Sequence, residues 1–194
     1  MKTERQVNNM STKKILIVVD MQNDFTTGAL GSREAATIIS NVAGKINEAR
    51  AKGDMVIFTQ DTHGDDYMQT EEGKNLPVPH CIKGTEGWLL AAGLQGDNDN
   101  VFEKETFGSM KLGKFLENLR ANDEDYVIEL VGLCTDICVL SNVVIAKAAM
   151  PNAHVTVDAA CCAGVTPESH DTALNAMKAI QVEVINQGKE PWRS

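Results

Sequence analysis

The chain has 194 residues, about the length at which one domain closes around one hydrophobic core. Its net charge of −9, without any cluster of lysine and arginine, argues against a nucleic-acid partner, because binding to phosphates requires a basic surface. No apolar run approaches the roughly 20 residues of a membrane-spanning helix, which argues against a membrane protein of that kind. Since 43% of the residues are apolar but only 5% are aromatic, the core is expected to be aliphatic.

The first twelve residues, MKTERQVNNMST, are polar and lack the apolar stretch of a secretory signal. We therefore expect residues 1–12 to be a disordered leader, residues 13–194 to form a single domain, and the protein to be cytoplasmic. The five cysteines are an odd number in a chain without an export signal, which argues against a disulfide framework. They also lack the CxxC pairs that are typical of structural zinc sites.

Aliphatic runs of strand length alternate with segments of helical periodicity along the rest of the chain. The first run, Lys14–Asp20 (KILIVVD), is typical of a parallel strand that is buried on both faces. Further strands are predicted at 55–60, 101–103, 126–131, 154–158 and 182–185. Apolar spacings of three and four residues predict helices over 35–49, 112–119, 136–149 and 167–180. Gly53 is the expected stop of the first helix, and Thr166-Pro167-Glu168 the expected start of the last.

Strands and helices that alternate throughout predict the α/β class. The expected architecture is a three-layer α/β/α, Rossmann-like fold with a mostly parallel central sheet of about six strands. In such sheets, ligands bind outside the carboxyl ends of the strands, where the strand order reverses. The segment from Asp61 to about Glu86 has neither periodicity. At about 25 residues it is too long for a plain connection, which indicates a functional loop.

Reactive side chains follow the predicted strands at their carboxyl ends. Asp20 closes the first strand, Asp61 and His63 follow the second, Lys104 follows the third, and Cys138 lies just after the fourth. Because the carboxyl ends of parallel strands share one edge of a sheet, we expect these groups to lie at a common rim. The rim would then carry a carboxylate, a pair of metal-type ligands, an ammonium group and a thiol.

Cys138 has the setting of a nucleophile, since the N-terminus of a helix lowers the pKa of a cysteine by stabilising the thiolate. Lys104 would favour the thiolate further, while Asp20 could accept the thiol proton and pass it to a leaving amine. The N–H groups of the first helical turn could bind the oxyanion of a tetrahedral intermediate. Each residue alone also has a structural interpretation. Cys138 could be a small buried filler, Lys104 a solvated lysine and Asp20 a loop cap.

These residues lie in motifs that resemble the isochorismatase-like cysteine hydrolase family, and within it the nicotinamidase branch. The matching motifs, in family order, are VVDMQNDF (18–25), TQDTH (59–63), LPVPHCIKGTEGW (76–88), FEKETFGS (102–109) and VGLCTDICV (131–139). The resemblance implies a catalytic triad of Cys138, Asp20 and Lys104. It also implies a cis peptide bond between Leu133 and Cys134, which would aim the amides of Cys134 and Cys138 at the oxyanion.

The resemblance implies a cysteine-dependent amidohydrolase. The reaction would most closely be the conversion of nicotinamide and water to nicotinate and ammonia through a cysteine thioester, with a role in NAD salvage. The expected partner is a small amide substrate, with neither nucleic acid nor membrane. The apolar helix at 139–150 could pack against the sheet or against a neighbouring copy of the chain, so the sequence is compatible with a homo-oligomer.

A metal site is predicted from Asp61, His63 and His80, whose oxygen and nitrogen donors suit Zn²⁺, Mn²⁺ or Fe²⁺. The resemblance implies one divalent metal, zinc in the first place, which orients the ring nitrogen of the substrate. The fourth ligand varies within the family between histidine and glutamate. Here Glu72 fits that position best and Glu71 competes with it. The alternative interpretation is a flexible acidic loop with two surface histidines.

Other candidates rank lower. Phe25 and Phe107 flank matched motifs and could clamp a flat substrate ring, although a role in the core would explain them equally well. The pair Cys161-Cys162 is expected to be buried and structural. His154 has the position of a strand start and His170 that of a helix surface, and neither is assigned a function.

Three alternative functions remain open. A related cysteine hydrolase could act on another small amide or ureido compound with the same triad. An isochorismatase-type hydrolase fits less well, because those relatives lack the nucleophilic cysteine that this chain keeps. A non-enzymatic ligand-binding member of the fold would not need a reactive thiol.

Overall fold

A computed structural model of the protein describes residues 12–122 and 125–193. The strands are β1 (Lys13–Val19), β2 (Met55–Asp61), β3 (Asn100–Lys104), β4 (Tyr126–Leu133), β5 (His154–Ala163) and β6 (Glu183–Ile185). The helices are α1 (Asn23–Thr26), α2 (Arg33–Lys52), α3 (Glu71–Asn75), α4 (Met110–Arg120), α5 (Leu140–Ala149) and α6 (Pro167–Ala179). Except for Thr12, the expected leader lies outside the described residues.

The six strands form one sheet in the order β3-β2-β1-β4-β5-β6, and every neighbouring pair is parallel. From β1 the chain builds one half of the sheet through β2 and β3, and then crosses to the other side of β1 with β4. The strand order therefore reverses next to β1, where the carboxyl ends of β1 and β4 border a crevice. The predicted α/β class and parallel six-stranded sheet are confirmed.

Side chains of β1 alternate between two hydrophobic cores, one on each face of the sheet. Ile15, Ile17 and Val19 belong to one core, and Leu16 and Val18 belong to the other. The first core also contains buried residues of α4, α5 and α6, and the second contains those of α2. The two-residue period of a strand thus puts helices on both faces and produces the predicted three layers.

The ends of the long helices follow local sequence signals. The Ser32 side chain caps the start of α2, and Gly53 ends it in the left-handed conformation with a φ of 75°. Thr166 caps α6 in a reciprocal pair of hydrogen bonds with Ser169, and Pro167 occupies the first helical position. The predicted stop of α2 and start of α6 are confirmed.

Two elements around the crevice differ from the prediction. β5 extends to Ala163, beyond the predicted end at residue 158. The prediction was too short because the second half of this strand is rich in alanine and cysteine and has little strand signal. The helix after β4 begins with a π-helical turn, Thr135–Val139, which leads directly into α5. Such turns are frequent at functional sites.

Gly132 allows β4 to lie against the end of β1. Its φ is 119°, and a Cβ atom at this position would lie 2.1 Å from the Val19 carbonyl oxygen. Only glycine fits there, and the register between β4 and β5 shifts at the same point, between Leu130 and Gly132. Within the described parts of the chain, no helix is both long and apolar enough to cross a membrane.

Candidate active site

The side chains of Asp20, Lys104 and Cys138 meet at the carboxyl ends of β1, β3 and β4. Lys104 Nζ lies 2.7 Å from Asp20 Oδ2 and 3.6 Å from Cys138 Sγ. All three residues are buried, with exposed fractions of 5% for Lys104, 0% for Asp20 and 6% for Cys138. The Thr59 hydroxyl donates to Asp20 Oδ1 at 2.7 Å. The structure therefore brings the three residues of the predicted triad together.

The backbone of Asp20 has an unusual conformation. Its φ is 45°, in the left-handed region that residues other than glycine rarely adopt. Local strain of this kind clusters at functional sites.

Lys104 reaches Asp20 across the end of β2, where its Nζ also lies 2.9 Å from Asp61 Oδ1. The lysine therefore links the triad to the predicted metal ligands.

Burial changes the expected titration of the site. Burial and the nearby Asp20 charge raise the pKa of Cys138 well above its ordinary value, and Lys104 opposes them only in part. Burial also raises the pKa of Asp20. Although burial lowers the pKa of Lys104, the charges of Asp20, Cys138 and Asp61 raise it overall. At the resting thiol, burial and the Asp20 charge thus outweigh the stabilisation of the thiolate that Lys104 provides. The thiol therefore needs a base, and the candidate is Asp20, the carboxylate whose nearby charge acts on it.

The turn that carries Cys138 is tightly folded. The peptide bond between Leu133 and Cys134 is cis, as the resemblance implied. The Cys134 carbonyl accepts hydrogen bonds from both Ile137 N and Val139 N at 3.1 Å. Cys134 and Cys138 both line the adjacent cavity, and the assignment of their amides to an oxyanion hole stays a prediction.

The sequence analysis missed Asn142, which is fully buried one turn after Cys138. Its Nδ2 donates to the Cys138 carbonyl at 2.8 Å and its Oδ1 accepts from Ser109 N at 2.9 Å. A polar residue in a largely apolar helix was the signal that could have identified it.

Four potential metal ligands form a cluster beside the triad: Asp61, His63, Glu72 and His80. Their donor atoms all lie within 4.8 Å of one another. Asp61 Oδ2 lies 2.9 Å from His63 Nε2 and 3.5 Å from His80 Nε2. Glu72 Oε1 lies 3.8 Å from His63 Nε2 and 3.6 Å from His80 Nε2. His63 and His80 are 6% and 2% exposed, so the alternative of surface histidines on an acidic loop is wrong.

The chemistry of these donors fits a divalent metal ion. His80 Nδ1 lies 2.8 Å from the Val78 carbonyl, which can only accept. The proton is therefore on Nδ1, and the lone pair of a neutral ring at Nε2 is directed to the cluster. Burial raises the pKa of Asp61, but hydrogen bonds with His63 and His80 and the charge of Lys104 hold it below its ordinary value. A carboxylate and histidine nitrogens thus converge in a form that suits Zn²⁺.

Of the two candidates for the fourth ligand, α3 places Glu72, but not Glu71, with the other three potential ligands. Glu72 is half-buried in the cluster, whereas the exposed Glu71 accepts from Asn75 Nδ2 one turn later, at 3.3 Å. Burial and the neighbouring Asp61 raise the pKa of Glu72. A positive ion between these two carboxylates would relieve their repulsion.

Two further residues of the motif VVDMQNDF hold the cluster. The side-chain amide of Gln22 pairs with the backbone of Asp61, through Nε2 to the carbonyl at 2.8 Å and Oε1 to the N–H at 2.7 Å. Asp24 Oδ2 accepts from Cys81 N at 2.8 Å, next to His80. Gln22 was not singled out from the sequence.

A cavity of about 430 Å³ opens above Cys138 and the potential metal ligands. Phe25 and Phe107 both line it, the first buried and the second 43% exposed. The described residues that line it include no lysine or arginine, whereas Asp61 and Glu72 are acidic. The cavity is therefore suited to a small, uncharged and largely apolar ligand.

The prediction for His170 is wrong. This residue is fully buried, and its ring contacts Thr135 in the turn that carries Cys138. Its spacing from Ala173, Leu174 and Met177 puts it on the buried face of α6, and this spacing was the signal that could have identified it. Cys161 and Cys162 are buried, as predicted.

Comparisons of the whole chain with known proteins find a family and several relatives. Residues 14–188 match the family model of the isochorismatase domain. The nicotinamidase/pyrazinamidase of Mycobacterium tuberculosis is 30% identical over 189 residues, which cover 89% of this chain and 98% of that protein. The crystal structure of the Pyrococcus horikoshii pyrazinamidase in complex with zinc has a TM-score of 0.77 at 27% identity, over 89% of this chain and 98% of that one. The N-carbamoylsarcosine amidase of Thermoplasma acidophilum has a TM-score of 0.72 at 27% identity, over 89% and 95% of the two chains.

Proposed function

The chain belongs to the isochorismatase family, and on that premise we propose that it hydrolyses nicotinamide to nicotinate and ammonia, a reaction of NAD salvage. It is a nicotinamidase-like hydrolase that acts on amide C–N bonds. The observation that carries the proposal is the position of Lys104 Nζ, 2.7 Å from Asp20 and 3.6 Å from Cys138 Sγ beside a largely apolar cavity.

The first half of the proposed reaction forms a thioester. Asp20 takes the proton of the Cys138 thiol, and the sulfur attacks the carbonyl carbon of the carboxamide. Lys104, which is positively charged, stabilises the sulfur anion, and the amides of Cys134 and Cys138 bind the oxyanion. Asp20 then gives the proton to the departing nitrogen, the C–N bond breaks, and ammonia leaves.

The second half regenerates the thiol. Asp20 takes a proton from a water molecule as its oxygen attacks the thioester carbonyl. The C–S bond breaks, the acid is released, and Cys138 regains its proton from Asp20. The raised pKa of Asp20 suits this exchange, because it makes the carboxylate a stronger base toward the thiol and toward water.

We further propose that Asp61, His63, Glu72 and His80 bind one divalent metal ion, with zinc as the first candidate. The convergence of two carboxylates and two histidine nitrogens supports this, as does the zinc complex of the Pyrococcus horikoshii pyrazinamidase. When bound, the metal would supply a Lewis acid for the ring nitrogen of the substrate. The chain itself would place the ring in the cavity between Phe25 and Phe107.

Hydrolysis of a ureido compound is the second candidate, which the similarity to the N-carbamoylsarcosine amidase favours. The lining of the cavity favours the aromatic amide over a ureido acid. Phe25 and Phe107 offer apolar surface to a flat ring, whereas no lysine or arginine among the described lining residues offers a partner to the carboxylate of a ureido acid.

The test is ammonia release from nicotinamide by the purified, zinc-loaded protein. We expect release by the wild type, none by Cys138→Ala, and wild-type rates for Cys161→Ala, which removes a buried thiol elsewhere. N-carbamoyl amino acids should give no ammonia. If N-carbamoyl amino acids are hydrolysed but nicotinamide is not, and if this hydrolysis requires Cys138, the triad assignment stands and the nicotinamide assignment is wrong.

We also propose the cytoplasm as the location of this activity. All five cysteines are free thiols, as is usual in proteins of reducing compartments.

A further inference from the structure

A buried chain of hydrogen bonds connects the C-terminal segment to the turn that carries Cys138. The Thr135 hydroxyl oxygen lies 2.8 Å from His170 Nδ1, and His170 Nε2 lies 3.2 Å from Glu190 Oε1. The exposed fractions of Thr135, His170 and Glu190 are 0%, 0% and 3%. Groups this deeply buried and mutually bonded are costly to separate.

The protonation of this chain follows from its partners. The Glu190 carboxylate can only accept, and it already accepts from Gly188 N at 3.0 Å and from Arg193. His170 Nε2 therefore carries a proton and donates to it. Because burial lowers the pKa of His170, the ring is neutral and its Nδ1 has a lone pair. The Thr135 hydroxyl then donates to Nδ1, so its orientation is set by Glu190 through the ring.

A metal ion is not needed to explain this cluster. His170, Asp171 and Glu190 could in principle ligate one, but the guanidinium of Arg193 already pairs with both carboxylates and lies 2.6 Å from Asp171. Trp192 closes the other side, with its ring edge against His170 at 5.2 Å between centroids. Glu190 and Trp192 thus hold the segment from Gly188 to Arg193 against His170.

Thr135 is placed where its position affects the reacting groups. It directly follows Cys134, whose carbonyl closes the turn through Ile137 N and Val139 N. It also begins the π-helical turn that contains Cys138. A shift of Thr135 would therefore move both amides assigned to the oxyanion and the Cys138 thiol.

We propose that Thr135, His170 and Glu190 are positioning residues, through which the C-terminal segment holds the nucleophile turn against Asp20 and Lys104. This inference rests on the proposed role of Cys138 as the nucleophile. None of the three residues contacts the predicted substrate position, because none lines the cavity. Their loss should therefore lower kcat and leave KM nearly unchanged.

The first experiment compares Thr135→Val with Thr135→Ser in ammonia release from nicotinamide. Valine keeps the shape without the hydroxyl, and serine keeps the hydroxyl. A misplacement of about 1 Å can reduce a rate about 100-fold, so we expect kcat of the valine variant to fall about 10- to 100-fold, with KM within about threefold. The serine variant should retain kcat within about threefold. Equal values for the two variants would overturn the proposal.

Thr156→Val is the matched control, because Thr156 is also a buried threonine but lies in the first half of β5, away from the crevice. Its kcat should equal that of the wild type. Melting temperatures of all variants are measured in parallel. If kcat of Thr135→Val falls no further than that of Thr156→Val, Thr135 has only a structural role.

A double variant tests the connection to the C-terminal segment. If Glu190 acts through His170 and Thr135, Glu190→Ala should add no more than about a threefold loss of kcat to Thr135→Val, because effects along one network are not additive. Losses that multiply would show that Glu190 acts elsewhere and would overturn this part of the proposal.

Alkylation by iodoacetamide separates this proposal from the proposed function. If the wild type releases no ammonia from nicotinamide, the substrate assignment fails, but the rate of Cys138 alkylation still reports the position of its thiol. We expect alkylation of Thr135→Val to be about tenfold slower, because the sulfur moves away from Lys104. An unchanged rate would overturn the positioning role.

Discussion

Asp20 would have two opposing effects on Cys138, since the proposed mechanism makes it the base that removes the thiol proton, but its charge raises the pKa of the thiol. In Asp20→Asn the Lys104 charge is no longer opposed, so the pKa of Cys138 should fall and the thiolate fraction at neutral pH should rise. Loss of the base should nevertheless reduce kcat by about 10²- to 10⁴-fold. Alkylation rates as a function of pH, measured beside ammonia release, test both effects. Hydrolysis at the wild-type rate would refute the role of Asp20.

Glu72 and Glu71 are neighbours in sequence with different surroundings, which makes them a matched pair for the metal site. We expect Glu72→Gln to weaken zinc binding by about 10- to 100-fold, because it removes a charged donor of the cluster. Glu71→Gln should leave the affinity unchanged, since the Glu71 side chain is exposed and lies outside the cluster. Zinc titration in competition with a chelator measures both. A larger effect of Glu71→Gln would make Glu71 the ligand.

At the scale of an element, α2 offers two glycines with opposite expected effects. A Cβ atom added at Gly44 or at Gly53 would meet no atom within 4 Å. The effect of each substitution on stability therefore depends on the backbone conformation alone. Gly44→Ala, within the helix, should raise the free energy of unfolding by about 0.5–1 kcal/mol. Gly53→Ala should lower it by about 1 kcal/mol, because φ is 75° at this position. Urea unfolding measures both changes. A shift of the same sign in both variants would contradict this account.

For the whole molecule, the buried His170 predicts a dependence of stability on pH. Burial lowers its pKa in the folded protein, whereas in the unfolded chain it titrates near 6.5. As pH falls below about 6.5, the unfolded chain takes up a proton that the folded protein does not bind, so the free energy of unfolding decreases by up to about 1.4 kcal/mol per pH unit. His170→Gln lacks this proton uptake and should show a shallower dependence in urea titrations between pH 5 and 7. Parallel slopes for the two proteins would show that His170 does not titrate differently on folding.

Much of this molecule was predictable from local patterns. The aliphatic run that forms β1, the Gly53 stop and the Thr166 cap act over a few residues, and strand ends in a parallel sheet meet at one edge whatever the details of packing. That is why Asp20, Lys104 and Cys138 could be assigned to one site before their distances were known.

The tertiary structure decided what depends on surroundings assembled from distant parts of the chain. Burial beneath four strand ends raises the pKa of Cys138, although its place at a helix start predicted the opposite. The choice of Glu72 over Glu71 follows from the direction in which α3 places each side chain. The contact of His170 with Thr135 joins residues 35 positions apart. A pKa and a hydrogen-bond partner are properties of the packed environment, and periodicity along the chain carries no information about them.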